Sequence, residues 1–167
     1  WKKKIAEKLQ AKEELLLLPK RIQFYSKFVN TGDLVFDVGA NEGNRIQALL
    51  ELNAKVVAIE PQPQCINILE KKFGSRIIIE KMGLGSSPGK ATMHVADVST
   101  ISTLSGDFIE KTSKSRFKSN KWDTTIEIEL STLDNLVSKY GVPVFCKIDV
   151  EGFEAEVLKG LHSPIQY

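Results

Sequence analysis

Three short apolar runs, each followed by a turn and a helix-like or turn-prone stretch, constrain this chain most: LVFDV at 34–38, KVVAIE at 55–60 and RIIIE at 76–80. A strand that is apolar at nearly every position, without polar alternation, belongs in a sheet covered on both faces, and such sheets are parallel. Between the first two runs, Ile46, Leu49, Leu50 and Leu52 mark a helix from Glu42 onward; between the second and third, CINILEKKF at 65–73 follows the turn-prone PQPQ as another. The succession β-α-β-α-β at this spacing requires right-handed crossovers, and so predicts an α/β fold with a doubly wound, mainly parallel sheet.

The remaining chain adds to that frame. Residues 3–29 read as helical, with Pro19 expected to break the run, and NTGD at 30–33 as a turn. A strand is expected from Lys90 to Ala96, then a mobile loop over 97–121, rich in Ser, Thr and Lys. TTIEIEL at 124–130 alternates as a half-exposed strand should, LDNLVSKY reads as a short helix, VFCKIDV at 144–150 as a fourth buried strand and EAEVLKGL as the helix after it. With 167 residues, 42% of them hydrophobic, the expected organisation is an N-terminal helical segment over 1–29 and one domain over 30–167.

Charge narrows the partners. Lys plus Arg number 23 against 21 Asp plus Glu, a net +2, which gives no general electrostatic case for nucleic acid or an anionic membrane. The lysines at 2–4 and 111–121 read as solvated faces. No apolar run approaches the roughly 18 residues that span a bilayer, and Lys8, Lys12, Glu13 and Glu14 interrupt any signal-peptide core. The start at Trp1 leaves a removed leader open. Cys65 and Cys146 are too far apart for a zinc cluster and are expected to be buried thiols in a reducing compartment, hence a cytoplasmic location. His94 and His162 stand alone, so neither a metal triad nor a Ser-His-Asp arrangement is expected.

The turn FDVGANEGN is the chemical signal. In a parallel β-α unit the strand's carboxyl end and the helix's amino end share one rim, where free backbone N–H groups and the helix dipole are expected to meet a ligand. Gly39 and Gly43 allow close approach, Asp37 can accept from a cationic or N–H-bearing ligand, and Glu60 ends the next strand, where a carboxylate takes both hydroxyls of a ribose. Counted from Gly39, the other glycine positions of G-x-G-x-x-G hold Asn41 and Asn44, which disfavours NAD or FAD. Two carboxylates suit a nucleoside with a cationic sulfur, S-adenosylmethionine. On the opposing reading the glycines only shape a turn and Glu60 caps a helix.

At these residues the chain resembles the FkbM-type family of class I S-adenosylmethionine-dependent methyltransferases. The carriers are FDVGANEGN at 36–44, AIEPQP at 58–63, GLGSSPGKATMHV at 83–95, STLDNL at 131–136 and KIDVEGFEAEVLKG at 147–160. The resemblance implies a Rossmann-like fold in which Asp37, Gly39, Ala40, Asn41 and Gly43 line the methionine and ribose part of the cofactor. Glu60 would hold the ribose hydroxyls, Pro61 would sit beside the adenine, and Met82, Gly83 and Leu84 would flank its ring. Members of the family look like O-methyltransferases acting on hydroxyls of sugars, polyketides and other small molecules. The class I fold has seven strands, so the chain is expected to be truncated after its fourth core strand and the following helix.

Asp149 and Glu151, at the rim of the fourth strand, are the candidate catalytic pair: Asp149 to orient cofactor or acceptor, Glu151 to contact or deprotonate the acceptor. The plainer reading of Glu151 is a helix cap. Two carboxylates are a weak metal signature, and no metal is expected. The 97–121 loop reads either as a lid over the acceptor or as a surface insertion. The expected partner is a small hydroxylated acceptor, with no nucleic acid and no membrane; oligomeric state is not legible. The rival functions are methylation of RNA or protein and a non-catalytic nucleotide-binding or scaffold module.

Overall fold

In the computed structural model the described residues are 2–96, 102–113, 122 and 124–163. In chain order the elements are α1 (Lys2–Tyr25), β1 (Leu34–Val38), α2 (Ile46–Glu51), β2 (Lys55–Ile59), α3 (Pro63–Phe73), β3 (Ile78–Glu80), β4 (Gly83–Leu84), β5 (Gly89–Val95), α4 (Gly106–Ser113), β6 (Thr124–Ser131), α5 (Leu133–Tyr140), β7 (Phe145–Ile148) and α6 (Glu154–Lys159). The core sheet is wholly parallel, in the order β3-β2-β1-β7. This is the Rossmann-like α/β architecture expected from the buried runs.

Strand alternation builds two cores. Val35, Val56 and Ala58 face one side, where Ile46 and Leu49 of α2, Leu69 and Phe73 of α3, and Tyr25 of α1 pack on them. Phe36, Val38, Val57 and Ile59 face the other, against Leu133 and Leu136 of α5 and Val157 of α6. Each of those four strand residues is at most 1% exposed, and burying such a side chain contributes about 1.5–3 kcal/mol. Register keeps the strands level: Val38 lies opposite Ile59 on β2 and Ile148 on β7. From β1 the chain winds outward through β2 and β3, then returns to β1's other side as β7. The β1–β7 gap is therefore the topological switch point, where open α/β sheets bind their ligands.

A second sheet, β4-β6-β5, carries the half-exposed strand. Ile128 of β6 is buried, whereas Glu127 and Glu129 point outward to Lys90 on β5. The two-residue β4 had no signal in the sequence.

Three expectations are corrected. Pro19 does not break the first helix: α1 runs through it. The carbonyl that loses its partner there belongs to Leu15, whose residue is 72% exposed, so water can satisfy it. The helix expected from Glu42 begins at Ile46, because residues 41–45 form the turns of the site. The stretch 97–121, expected as a mobile loop, contains α4 and a short pairing of Thr103 with His94; its residues 97–101 and 114–121 lie outside the described residues.

The STLDNL stretch has a structural meaning of its own. Thr132 Oγ1 accepts from Asn135 N at 3.2 Å as the N-cap of α5, and the Asp134 carboxylate accepts the His162 N–H at 2.9 Å. Thr132→Ala is expected to lower stability by about 1 kcal/mol, the usual worth of such a cap, measured as a shift of the urea midpoint with unchanged slope. An unchanged midpoint would mean the cap is redundant. Among the described residues, no helix is long and apolar enough to cross a membrane.

Candidate active site

A cleft opens over the carboxyl ends of β1, β2 and β7, at the switch point. Ten of the twelve residues selected from sequence line it: Gly39, Ala40, Asn41, Glu60, Pro61, Met82, Gly83, Leu84, Asp149 and Glu151. The other two are placed elsewhere. Gly43 faces α3, where a Cβ would stand 2.4 Å from Phe73 Cε2, so it lets that helix pack close. Asp37 lies beneath the cleft floor, 1% exposed.

The β1–α2 turn is bonded into itself. A Cβ on Gly39 would fall 2.0 Å from the Asp149 carbonyl oxygen, so the bare backbone there brings the ends of β1 and β7 together. Gly39 N and Ala40 N donate to the Ile59 carbonyl, at 3.0 and 3.1 Å. Asn41 N donates to Glu60 Oε2 at 2.8 Å, Glu42 N to the Asn41 side chain at 2.8 Å, and Gly43 N to the Ala40 carbonyl at 2.9 Å. The expected free N–H groups are thus absent over 39–43. The turn offers no amide cradle for a pyrophosphate, because those donors hold the turn's own shape.

Glu60 is the turn's anchor. Besides Asn41 N, it takes Gln62 N on Oε1 at 2.9 Å. Burial pushes its carboxyl above the ordinary range, opposed by the N–H groups of Gln62 and Asn41. The Gln62 side chain bonds the carboxylate as well, which leaves about one of its four acceptor positions open to the cleft, or two where a ligand hydroxyl displaces that side chain. Pro61, Met82 and Leu84 provide a wall of largely apolar surface beside it.

Lys147 was missed by the sequence reading, although it precedes Asp149 by two on a strand and so shares its side. Its register partner on β1 is Asp37. Lys147 Nζ donates to the Gly39 carbonyl at 2.8 Å and lies 2.9 Å from Asp37 Oδ1 and 3.7 Å from Asp149 Oδ2. The approach to Asp37 has a hydrogen bond's length without its alignment, since neither Asp37 oxygen accepts a bond; the contact is an ion pair. Burial raises the Asp37 carboxyl pKa, with Lys147 the main opposing influence.

The roof comes from the stretch expected as a loop. Ser102 and Thr103, 5% and 1% exposed, line the cleft with Leu104. Thr103 Oγ1 donates to the Glu151 carbonyl at 2.7 Å, and Phe108 fills the space where a Cβ on Gly152 would lie. Glu151 itself has φ 52°, a left-handed conformation uncommon for Glu. α6 has no side-chain cap bond at its N-cap Phe153, and Glu154, its first residue, accepts instead from Val150 N and Gly152 N in the turn before it. Among the described residues no group of three or more His, Cys, Asp or Glu is arranged to hold a metal ion.

The family model described as the methyltransferase FkbM domain matches residues 37–166. The hexuronic acid methyltransferase AglP of Haloferax volcanii is 28% identical over 141 residues, covering 80% of this chain and 52% of its own length. The chain therefore spans about half the length of that curated relative. Of solved structures, the glycopeptide N-methyltransferase MtfA complexed with sinefungin is 17% identical at a TM-score of 0.33, over 38% of this chain and 28% of its own. The C-terminal domain of precorrin-6Y C5,15-methyltransferase from Rhodobacter capsulatus is 10% identical at 0.34, over 66% and 87%.

Proposed function

We propose that this chain, which belongs to the FkbM methyltransferase family, forms the S-adenosylmethionine site of an enzyme that methylates a hydroxyl on a sugar or other small molecule. The carrying observation is the pairing of a buried ribose-competent carboxylate, Glu60, with a turn whose amides are already used. That combination suits a nucleoside carrying positive charge and offers a pyrophosphate no backbone donors. The Haloferax relative is a hexuronic acid methyltransferase, which supports a sugar-type acceptor. The near-balanced charge argues against RNA.

When bound, S-adenosylmethionine supplies a methyl group already activated on a sulfonium. The chain's own residues then have three tasks. Glu60 accepts the ribose hydroxyls while Pro61, Met82 and Leu84 border the purine. Asp149, 58% exposed at the cleft, faces the cationic end. Glu151 takes the proton from the acceptor hydroxyl, a step worth about 10²–10⁴-fold. Positioning the acceptor oxygen against the bound cofactor would supply roughly 7–11 kcal/mol, and the roof of Ser102, Thr103 and Leu104 helps exclude water.

Calorimetry with S-adenosylmethionine, S-adenosylhomocysteine and NAD tests this. Binding of the first two with no heat from NAD is expected. Tighter binding of NAD, or none of the three by folded protein, overturns the assignment.

A further inference from the structure

Among the described residues three cations line the cleft, Arg21, Arg45 and Lys147, and two of them are committed. Lys147 is held by the Gly39 carbonyl and Asp37. Arg21 pairs with Glu14 and donates to the Asn44 carbonyl at 2.6 Å. The Arg45 side chain is exposed and makes no hydrogen bond or ion pair with any described residue; its carbonyl accepts from Leu49 N. It nevertheless lies close enough to Asp37 to act on its charge, as does Asp149 with opposite sign. Arg45 closes the turn that begins at Gly39 and lines the cleft together with Asp149, whose backbone carbonyl abuts Gly39.

A ligand that is a nucleoside at one end and a free amino acid at the other brings a zwitterion to that end. Its carboxylate needs donors, and the turn's amides from Gly39 to Gly43 are spent on internal acceptors. We propose that Arg45 binds the carboxylate of the cofactor's amino-acid end, with Asp149 facing the ammonium. A guanidinium gives a carboxylate two parallel N–H donors, which suits a planar anion at a solvent-facing rim. The assignment rests on the S-adenosylmethionine reading above and deepens it, since it makes one side chain responsible for reading the amino acid rather than the nucleoside.

Two ligands separate the parts. S-adenosylhomocysteine carries the amino acid, and 5′-deoxy-5′-methylthioadenosine has the same thioether nucleoside without it. Measured by calorimetry, Arg45→Gln is expected to bind S-adenosylhomocysteine about 10- to 100-fold more weakly, the worth of a charged hydrogen-bonded pair. Its affinity for methylthioadenosine and its thermal midpoint are expected to match the wild type. Arg45→Lys keeps the charge without the fork and is expected to recover part of the loss. Undiminished S-adenosylhomocysteine binding by Arg45→Gln overturns the assignment while leaving the nucleoside site intact, and an equal loss for both ligands overturns it by placing the effect of Arg45 on the nucleoside rather than the amino acid. Failure of the folded wild type to bind either ligand sinks the cofactor reading and this inference together.

Discussion

Glu60→Ala is expected to cost this chain both its ligand and a large share of its stability. The two Glu60 oxygens accept N–H groups from different segments: Asn41 in the β1–α2 turn and Gln62 at the start of α3. Hydrogen bonds to a charged acceptor contribute about 1.5–3 kcal/mol each, so losing both at a residue 2% exposed removes roughly 3–6 kcal/mol, against a typical total of about 5–15. The bond to Asn41 also supports that residue's positive φ of 49°. Glu60→Gln keeps one acceptor and turns an NH₂ toward the other N–H, so it is expected to fall between the two. Urea unfolding reads the stability loss. Calorimetry on protein still folded at low temperature is expected to show S-adenosylhomocysteine affinity lower by at least ~100-fold, the worth of two hydroxyl bonds to a charged acceptor. Wild-type stability and affinity in Glu60→Ala would remove both the anchor and the ribose contact at once.

The same residue shows why the site was only partly legible in sequence. Glu60 and Asp149 stand at the ends of apolar runs, and a run of doubly buried residues is itself the mark of a parallel strand, so position and side chain could be read together. The direction of the turn's amides could not. Gly39 and Gly43 look alike whether their neighbours donate outward to an anion or inward; the decision lies with Glu60 and Ile59, some twenty residues later, whose oxygens take those protons. The roof was hidden for a different reason. Ser, Thr and Lys dominate 97–121, and nothing local announces that Thr103 will be 1% exposed beside β5 or that Phe108 will fill the gap at Gly152. Tertiary burial overrode composition there. Lys147 was legible in principle, since alternation places it beside Asp149, but a lysine in an apolar run shows no partner until the register of β1 against β7 is known.

That register leads to the second large effect. Lys147→Met leaves Asp37 as a carboxylate with both oxygens buried and no cation in contact, only Arg45 acting from further off, and removing one partner of a buried pair costs about 3–5 kcal/mol. The pH dependence identifies the cause. Burial already holds the Asp37 pKa above its ordinary 3.8 despite Lys147. The folded state therefore binds more protons than the unfolded state from about that pH up to the raised value, and stability falls as pH rises through this window. Without Lys147 the folded pKa climbs further, so the window widens upward and the decline deepens. Lys147→Met is expected to be much weaker than wild type at pH 8 and to recover part of the difference at pH 5. Adding Asp37→Asn removes the stranded charge, which is expected to restore most of the stability and flatten the profile relative to Lys147→Met alone. A double variant no more stable than Lys147→Met would show that Lys147 acts through the Gly39 carbonyl instead. Calorimetry on the double variant beside Lys147→Met alone, both folded at pH 5, separates Asp37's two roles: equal S-adenosylhomocysteine affinity makes it a buried counter-charge under the β1–β7 rim, whereas a further loss in the double variant makes it a ligand contact after all.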